Sequence, residues 1–354
     1  MVVNVFDNVA FDGHELLSYG HDERTGLRAI IAVHNTFRGP GLGGLRMWPY
    51  GSWGEAVTDA LRLSRGMTYK NAMADLPLGG GKAVIIGDPA RQRSPALMHA
   101  MGRFIDRLNG VYITAEDSGV SVEDLRHLAE CTAYVTGVKG GLDADGRERS
   151  GDPSPATALG VFAGIRACLL EERGSDLLNG ITVSIQGVGS VGFRLAEHLH
   201  AAGAALVVAD VDRARAERAA SAFGAHMVAP GRIHAVPADV FAPCAMGAAI
   251  NDSTLRELNA PIVAGAANNQ LARPEHGVML QERGIRYAPD YVINAGGVID
   301  VSAQRDPHYD ADAVRSRVLG IADTLRDIFR RARASGQPPE EVADRMAEER
   351  FGRR

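Results

Sequence analysis

The stretch that most constrains the fold of this chain lies between residues 180 and 210. An apolar run, GITVSIQ, leads into GVGSVG at 187–192, an amphipathic segment follows, and a second apolar run, ALVVAD, ends at Asp210. In the pattern G-x-G-x-x-G the first glycine permits a tight turn, the second lets the backbone approach a pyrophosphate, and the third lets the helix pack on the strand. Alone the pattern is weak, but between a strand and a helix it predicts a dinucleotide-binding unit.

The residue at the end of the second strand indicates which dinucleotide binds. A carboxylate at the place of Asp210 accepts hydrogen bonds from the adenosine ribose hydroxyls and repels a 2′-phosphate, so NAD is favoured over NADP. Arg213 and Arg215 follow closely and weaken this preference, because a guanidinium pairs readily with a 2′-phosphate.

The chain beyond residue 150 keeps alternating strands with helices, which predicts an α/β fold with a parallel, doubly wound sheet of the Rossmann type. The segments 239–244, 260–267 and 286–297 (DVFAPC, APIVAGAA and RYAPDYVINAGG) are further predicted strands. Ser154 is the predicted N-cap of the helix that opens this half, with Pro155 at its first position.

The first 140 residues mix strands and helices and predict a second α/β domain. They include a strand at 27–36, a helix at 52–75 with a capping box at Ser52, and a short strand at 83–87. The segment 138–155, dense in Gly, Pro and charge, is the predicted linker. We therefore expect domains at 1–140 and 141–332 with an active-site cleft between them, and a C-terminal helix at 333–354 that packs back on the first.

Composition excludes several classes of function. The net charge of −5 comes without a basic stripe, so we expect no nucleic acid as partner. Three widely spaced cysteines without a CxxC pair, and eleven histidines without an HExxH motif, predict no metal site and no disulfide framework. Neither a run of about 18 apolar residues nor a signal-peptide pattern is present, so we expect a cytoplasmic protein that does not enter a membrane.

A second glycine-rich stretch, DLPLGGGKAVI at 75–85, resembles a phosphate-binding loop but lacks its residues. A Walker A loop needs Gly six residues before the lysine and Ser or Thr after it, where this chain has Leu76 and Ala83. Lys82 is then an amine at the mouth of a strand, with glycines that leave room for a ligand. Its apolar surroundings and the nearby Lys70 favour a lowered pKa and a role as a base, and Asp117 is placed to pass protons.

Together these motifs resemble the glutamate/leucine/phenylalanine/valine dehydrogenase superfamily, and most closely its leucine dehydrogenase branch. The resemblance covers nearly the whole chain, from GPGLGGLR (39–46) to ADRMAEER (343–350). It includes MTYKNAMADLPLGGGKAVI, TAED, GDPSPATALGV, QGVGSVG, FAPCAMGAAIND, GAANNQL and YAPDYVINAGGVI.

The resemblance implies reversible, NAD-dependent oxidative deamination of an L-amino acid to a 2-oxo acid and ammonia by a homo-oligomer, a dimer or an octamer. Lys82 and Asp117 would be catalytic, with Lys82 activating the attacking water, and Lys70 would bind the substrate carboxylate. The other implied substrate-binding residues are Leu42, Gly43, Gly44, Met67, Asn269, Asn294, Val298 and Val301. The implied cofactor-binding residues are Thr157, Gly187, Val188, Gly189, Ser190, Val191, Gly192, Asp210, Cys244, Ala245 and Asn268.

Two positions within the resemblance indicate the substrate class. Glutamate-specific members have a lysine and a serine where this chain has Leu42 and Val301, so a second carboxylate would be buried without a partner. The branched Val298 favours a branched aliphatic substrate, leucine first with valine and isoleucine, over an aromatic one. A phenylalanine dehydrogenase and a non-catalytic amino-acid or nucleotide sensor are the alternatives.

Overall fold

A computed structural model describes residues 4–140, 151–245 and 247–352, and these residues form two β-sheets with helices around each. The strands are β1 (Leu16–Asp22), β2 (Leu27–Asn35), β3 (Gly41–Trp48), β4 (Gly79–Ile86), β5 (Tyr112–Glu116), β6 (Thr182–Gln186), β7 (Ala205–Ala209), β8 (His226–Met227), β9 (Val240–Pro243), β10 (Ile262–Val263) and β11 (Arg286–Tyr287). The first five form one sheet and the other six form the second.

The helices cover both sheets and the C-terminal end of the chain. They are α1 (Trp53–Met73), α2 (Pro89–Gln92), α3 (Pro95–Asp106), α4 (Val122–Ala129), α5 (Ser154–Arg173), α6 (Ser190–Ala201), α7 (Arg213–Phe223), α8 (Asp252–Glu257), α9 (Glu275–Glu282), α10 (Asp290–Ile293), α11 (Gly296–Ala303), α12 (Ala311–Leu319), α13 (Ile321–Ser335) and α14 (Pro339–Arg350). Within the described ranges no helix is long and apolar enough to cross a membrane.

The second sheet has the predicted doubly wound topology. Its strand order is β11-β10-β9-β6-β7-β8, and every neighbouring pair is parallel. Numbered from β6, this is the order 3-2-1-4-5-6 of dinucleotide-binding folds, in which ligands bind at the strand carboxyl ends near the order reversal. The prediction of the fold class is confirmed.

The first sheet is mixed, in the order β1-β2-β4-β3-β5, and it corrects the prediction for the glycine-rich stretch. The glycines at 79–81 belong to β4 itself, which therefore begins at Gly79 rather than at residue 83. They leave no room for a ligand, because a Cβ on Gly80 would meet Thr68 N of α1 at 2.1 Å and one on Gly79 would meet Asn35 O at 1.9 Å. They let α1 and β2 lie close against β4.

Three other element predictions are wrong in detail. Only residues 286–287 of the predicted strand 286–297 pair in the sheet, since Pro289 starts helix α10. Helix α5 takes Pro153 rather than Ser154 as its N-cap. The segment 333–354 is not one helix, because Gly336 adopts a left-handed φ of 72° that ends α13, and α14 starts at Pro339.

Helix α14 lies against α1 of the first sheet. The Tyr69 hydroxyl donates to Glu348 Oε1 at 2.7 Å, and Arg350 Nη1 donates to the carbonyl oxygens of Ala72 and Met73, each at 3.0 Å. The end of the chain thus returns from the second sheet to a helix that packs on the first. The predicted linker and the boundary at 140/141 fall partly on residues 141–150, which lie outside the described residues.

Candidate active site

The candidate catalytic pair meets above strand β3. Lys82 stands in the middle of β4 and is 6% exposed, while Asp117 directly follows β5 on the other side of β3. Lys82 Nζ forms a hydrogen-bonded ion pair with Asp117 Oδ2. Because both groups are largely shielded from water, their attraction is stronger than that of a surface pair.

The two glycines of β3 make this meeting possible. A Cβ on Gly44 would lie 2.7 Å from the Cβ of Asp117, and one on Gly43 would lie 1.7 Å from Gly81 O and 3.2 Å from Met67 Cγ. Side chains here would push Asp117 and β4 away from β3. The paired glycines are therefore required for β3 to pack against β4 and Asp117, and Met67 lies over them.

Asp117 has a second cationic partner, Arg46. Arg46 Nε donates to Asp117 Oδ2 at 3.2 Å, and its Nη1 donates to Asp59 Oδ2 at 2.9 Å. Burial by itself raises the pKa of Asp117, but Lys82 and Arg46 more than offset it, so its pKa lies well below the usual range. Asp117 is consequently an ionised carboxylate that holds two positive charges.

Lys70 faces the same cleft from α1. Its Nζ donates to Asn268 Oδ1 at 3.1 Å, across the gap between the two sheets, and Asn294 Nδ2 donates to the same oxygen at 2.7 Å. Burial lowers the pKa of Lys70 to about 8, with Asp290 opposing the shift and Lys82 adding to it. Asn294 Oδ1 is buried without a hydrogen-bond partner among the described residues, which suits a donor that arrives with a ligand.

An apolar cluster lies beside these polar groups. Its buried members are Leu42, Leu76, Leu78 and Ile113, and the half-buried Ala74, Tyr134 and Val298 pack against it. Val298 comes from α11, so this cluster is closed from the side of the second sheet. Val301, one turn further, is 6% exposed, and its carbonyl oxygen accepts from Thr136 Oγ1 at 2.6 Å. The members of this cluster carry no charge that could pair with a second carboxylate.

The glycine loop lies at the carboxyl end of β6. Gly187 has a φ of 88°, and a Cβ on Gly192 would lie 2.0 Å from Gly187 O, so the loop requires both glycines. Helix α6 begins after Gly189 without a side-chain cap, and a Cβ on Gly189 would meet only Arg215 Nη1 at 3.8 Å. Open space in front of uncapped helical N–H groups is the arrangement that binds a pyrophosphate.

Most of the other predicted cofactor residues lie in or beside this loop. Ser190 and Val191 form the first turn of α6, Asp210 Oδ2 accepts from Val188 N at 2.8 Å, and Ala245 lies against Gly187. Cys244 lies near Gly192, and burial raises the pKa of its thiol to about 12, so it is not a reactive thiolate. Thr157 Oγ1 donates to Pro153 O at 3.0 Å beside Gly297. Asn269, a predicted substrate-binding residue, follows Asn268 with a left-handed φ of 50°.

Sequence reasoning missed Arg46 and Asp290. Arg46 has a signal, since it is the one charged residue in strand β3 and stands two residues after the paired glycines. Asp290 accepts from Gln270 N at 2.8 Å, burial raises its pKa, and its charge acts on Lys70. Asp290 was not singled out because the sequence predicts a strand over residues 286–297.

Comparisons with known proteins agree with this geometry. Residues 17–134 match the model of the Glu/Leu/Phe/Val dehydrogenase dimerisation domain, and residues 208–305 match that of Glutamate/Leucine/Phenylalanine/Valine dehydrogenase. Leucine dehydrogenase of Thermoactinomyces intermedius is 51% identical over 99% of this chain and 94% of its own length. Phenylalanine dehydrogenase of the same organism is 44% identical over 98% of this chain and 94% of its own.

A solved structure is similar over the same extent. The crystal structure of L-tryptophan dehydrogenase from Nostoc punctiforme superposes with a TM-score of 0.81 at 42% identity, covering 96% of each chain. The fold, the glycine loop, the buried lysine–aspartate pair and the high sequence identity to these enzymes agree. The chain therefore belongs to the glutamate/leucine/phenylalanine/valine dehydrogenase family and is an amino acid dehydrogenase that uses a nicotinamide cofactor.

Proposed function

We propose that this enzyme catalyses the reversible, NAD-dependent oxidative deamination of branched-chain L-amino acids, leucine first, with valine and isoleucine. The observation that carries the proposal is the juxtaposition of Lys70, the Lys82–Asp117 pair and an uncharged apolar cluster in one cleft. The higher identity to a leucine dehydrogenase than to a phenylalanine dehydrogenase supports the same substrate class.

Each polar group has a role that its position supports. The Lys70 ammonium binds the substrate α-carboxylate in place of Asn268 Oδ1, its present acceptor. Asp117, ionised and close to Lys82, accepts a proton from the substrate amino group. Lys82, as a neutral amine, then removes a proton from the water that attacks the substrate imine carbon. Asp117 returns its proton to the nitrogen, the C–N bond breaks and ammonia leaves; the reverse reaction runs through the same transfers.

The chain's residues fit a bound NAD. The open space at Gly189 and the uncapped start of α6 suit the pyrophosphate, and Asp210 at the end of β7 suits the ribose hydroxyls. Cys244 and Ala245 lie beside the glycine loop, Thr157 lies beside Gly297, and Asn268 contacts Lys70. When bound, the nicotinamide supplies the acceptor for the hydride that leaves the substrate α-carbon.

Glutamate fits this site poorly. Its second carboxylate would enter the cluster around Leu42, whose members carry no charge, and an unpaired buried charge costs several kcal/mol. A branched aliphatic side chain replaces one apolar surface by another. Discrimination among leucine, valine and isoleucine is limited to about 1–3 kcal/mol per methylene, so overlapping activity is expected.

We also propose that residues 1–140 form the domain that binds the substrate and residues 141–332 the domain that binds NAD. The enzyme is then a homo-oligomer built through the first domain, the region that matches a dimerisation domain. Dimer and octamer give different masses, and light scattering of the purified protein distinguishes them. A monomer would contradict the proposal.

The activity is tested by following absorbance of reduced nicotinamide with Leu, Val, Ile, Phe, Trp and Glu at alkaline pH. Leucine is expected to have the highest kcat/KM and glutamate none that is measurable. A lack of activity with all six would refute the reaction, and a Phe or Trp rate well above that of Leu would refute the substrate class.

The catalytic assignment has its own test. Lys82→Ala should abolish turnover while NAD binding, followed by fluorescence titration, stays within about twofold of wild type. The control is Arg62→Gln, which removes an exposed cation from α1 rather than the buried one from β4. Near-normal kcat in Lys82→Ala would overturn the assignment of the base.

A further inference from the structure

Two histidines and a glutamate converge on the first domain, away from the groups assigned above. His99 lies on α3, His127 on α4, and Glu130 is the residue at which α4 ends. His99 Nε2 lies 3.0 Å from Glu130 Oε2, and His127 Nδ1 lies 3.3 Å from Glu130 Oε1. All three possible ligand atoms lie within 4.8 Å of one another.

The packing of α3 on α4 produces this convergence. Gly102 permits a close approach, since a Cβ there would lie 2.8 Å from Leu128 O. His99 stands one turn before Gly102 and so faces the end of α4, where His127 and Glu130 are spaced i and i+3 on one face. Two packed helices thus hold the three side chains close together, so their joint action on a ligand would cost little conformational entropy.

We propose that His99, His127 and Glu130 bind one divalent transition-metal ion of the zinc class. Two ligands at about 2.1 Å from a tetrahedral zinc ion lie about 3.4 Å apart, close to the two distances to Glu130. Two imidazoles with one carboxylate are a donor set that zinc accepts, and the fourth position is open to water. The side chains are 31%, 26% and 60% exposed, so an ion can enter without unfolding.

The surrounding charges favour the ion. The neighbouring Arg126 pairs with Glu123, and Arg103 pairs with Asp22, so neither neutralises Glu130. Such a site would join α3 to α4 and stabilise the first domain.

The test is titration of tag-free, metal-stripped oligomer with ZnCl2 by calorimetry, and with Co2+ by visible absorption. We expect one ion per chain, at least a tenfold weaker affinity in His127→Gln and in Glu130→Gln, and a rise in Tm with zinc that these variants lose. His226→Gln, an exposed histidine on β8, and Cys131→Ser, next to Glu130, are controls that should bind like wild type.

Three results would overturn the proposal. They are binding of much less than one ion per chain, unchanged affinity in both variants, and an equal loss in either control. A fall in Tm of His127→Gln without any effect of zinc on the wild type would show a metal-free hydrogen-bonded cluster instead.

A second observation concerns Arg46 and rests on the proposed function. Arg46 links Asp117 to Asp59, and Asp59 also accepts from the Tyr50 hydroxyl at 2.6 Å and from Arg62 Nη2 at 3.2 Å. The guanidinium is held from both ends, 23% exposed, with its plane fixed by two carboxylates.

We infer that Arg46 is a positioning residue that fixes the Asp117 carboxylate and keeps it ionised, with Asp59 and Tyr50 orienting the guanidinium. Other charged or titratable groups also act on Asp117 or its neighbours: Lys82 from β4, Lys70 and Asp59 from α1, Glu116 from β5, and Asp152 beside Glu116. Removing Arg46 leaves Lys82 as the only cation in contact with Asp117 among the described residues.

The test compares Arg46→Gln with Arg62→Gln. Both remove a cation from Asp59, but only Arg46 touches Asp117. We expect Arg46→Gln to lower kcat at least tenfold and to move the acidic limb of the kcat profile to higher pH, since Asp117 then protonates more easily; Arg46→Lys should restore part of both. An unmoved limb in an active, folded Arg46→Gln, or an equal shift in Arg62→Gln, would refute the role. Inactivity of the wild type would instead refute the proposed function.

Discussion

Val298 provides the sharpest test of how this cleft selects its substrate. It is the half-buried residue of α11 that packs both on the core of the second sheet and on the apolar cluster at Leu42. Val298→Ala removes two methyl groups from the proposed wall of the substrate pocket. The space gained suits a larger, aromatic side chain and leaves a gap beside leucine.

The size of the effect follows from the burial. Each buried methylene is worth about 0.8 kcal/mol, so two methyl groups in full contact with leucine contribute about 1.6 kcal/mol. That free energy corresponds to about a 15-fold loss of kcat/KM, and partial contact of a half-buried residue lowers it to about fivefold. Because the phenylalanine rate rises at the same time, the ratio of leucine to phenylalanine activity should fall at least tenfold.

The assay is initial rates with each amino acid at saturating NAD for wild type, Val298→Ala and a matched control. Val314→Ala removes the same two methyl groups from a core position on α12 that is 3% exposed and outside the cluster. An unchanged Leu/Phe ratio in Val298→Ala, or the same change in Val314→Ala, would refute the assignment of Val298 to the substrate pocket.

Three further outcomes are expected. Gly43→Ala should lower Tm strongly or prevent folding, because its Cβ would lie 1.7 Å from Gly81 O. Gly66→Ala in α1, whose Cβ would have no atom within 4 Å, should raise the free energy of unfolding by about 0.5–1 kcal/mol. Equal Tm values for the two variants would contradict this reasoning. Since burial lowers the pKa of Lys70 to about 8, the inhibition constant of 4-methylpentanoate should rise about tenfold per pH unit above that value; a flat profile to about pH 10 would show that Lys70 does not bind the carboxylate. Asp210→Ser should reduce the preference for NAD over NADP at least tenfold by kcat/KM ratio, and an unchanged ratio would remove Asp210 from cofactor selection.

The parts of this protein that were predictable from sequence depend on local rules. The strand, glycine loop and helix at 187–192 are adjacent in the chain, so their geometry follows from spacing and from the conformational freedom of Gly187. The same holds for the alternation of strands and helices that builds the second sheet, and for the failure of the Walker pattern at Leu76 and Ala83.

Elements whose conformation depends on distant partners were less predictable. The run 286–297 has the apolar content of a strand, but parallel pairing is limited to residues 286–287, and Pro289 then caps helix α10. The glycines at 79–81 looked like space for a ligand, but that space is filled by backbone of β2 at Gly79, backbone of α1 at Gly80 and the Tyr112 ring at Gly81, none of which belongs to the stretch itself.

The sequence by itself therefore determined the nucleotide loop, the doubly wound sheet and the identity of the groups Lys70, Lys82 and Asp117. Only the tertiary structure decided that Lys82 and Asp117 meet over the bare backbone at Gly44, because that contact needs three strands in the order β4-β3-β5. It likewise decided that Arg46 holds Asp117, since an ion pair between β3 and the residue after β5 depends on sheet register, which no local pattern of residues encodes.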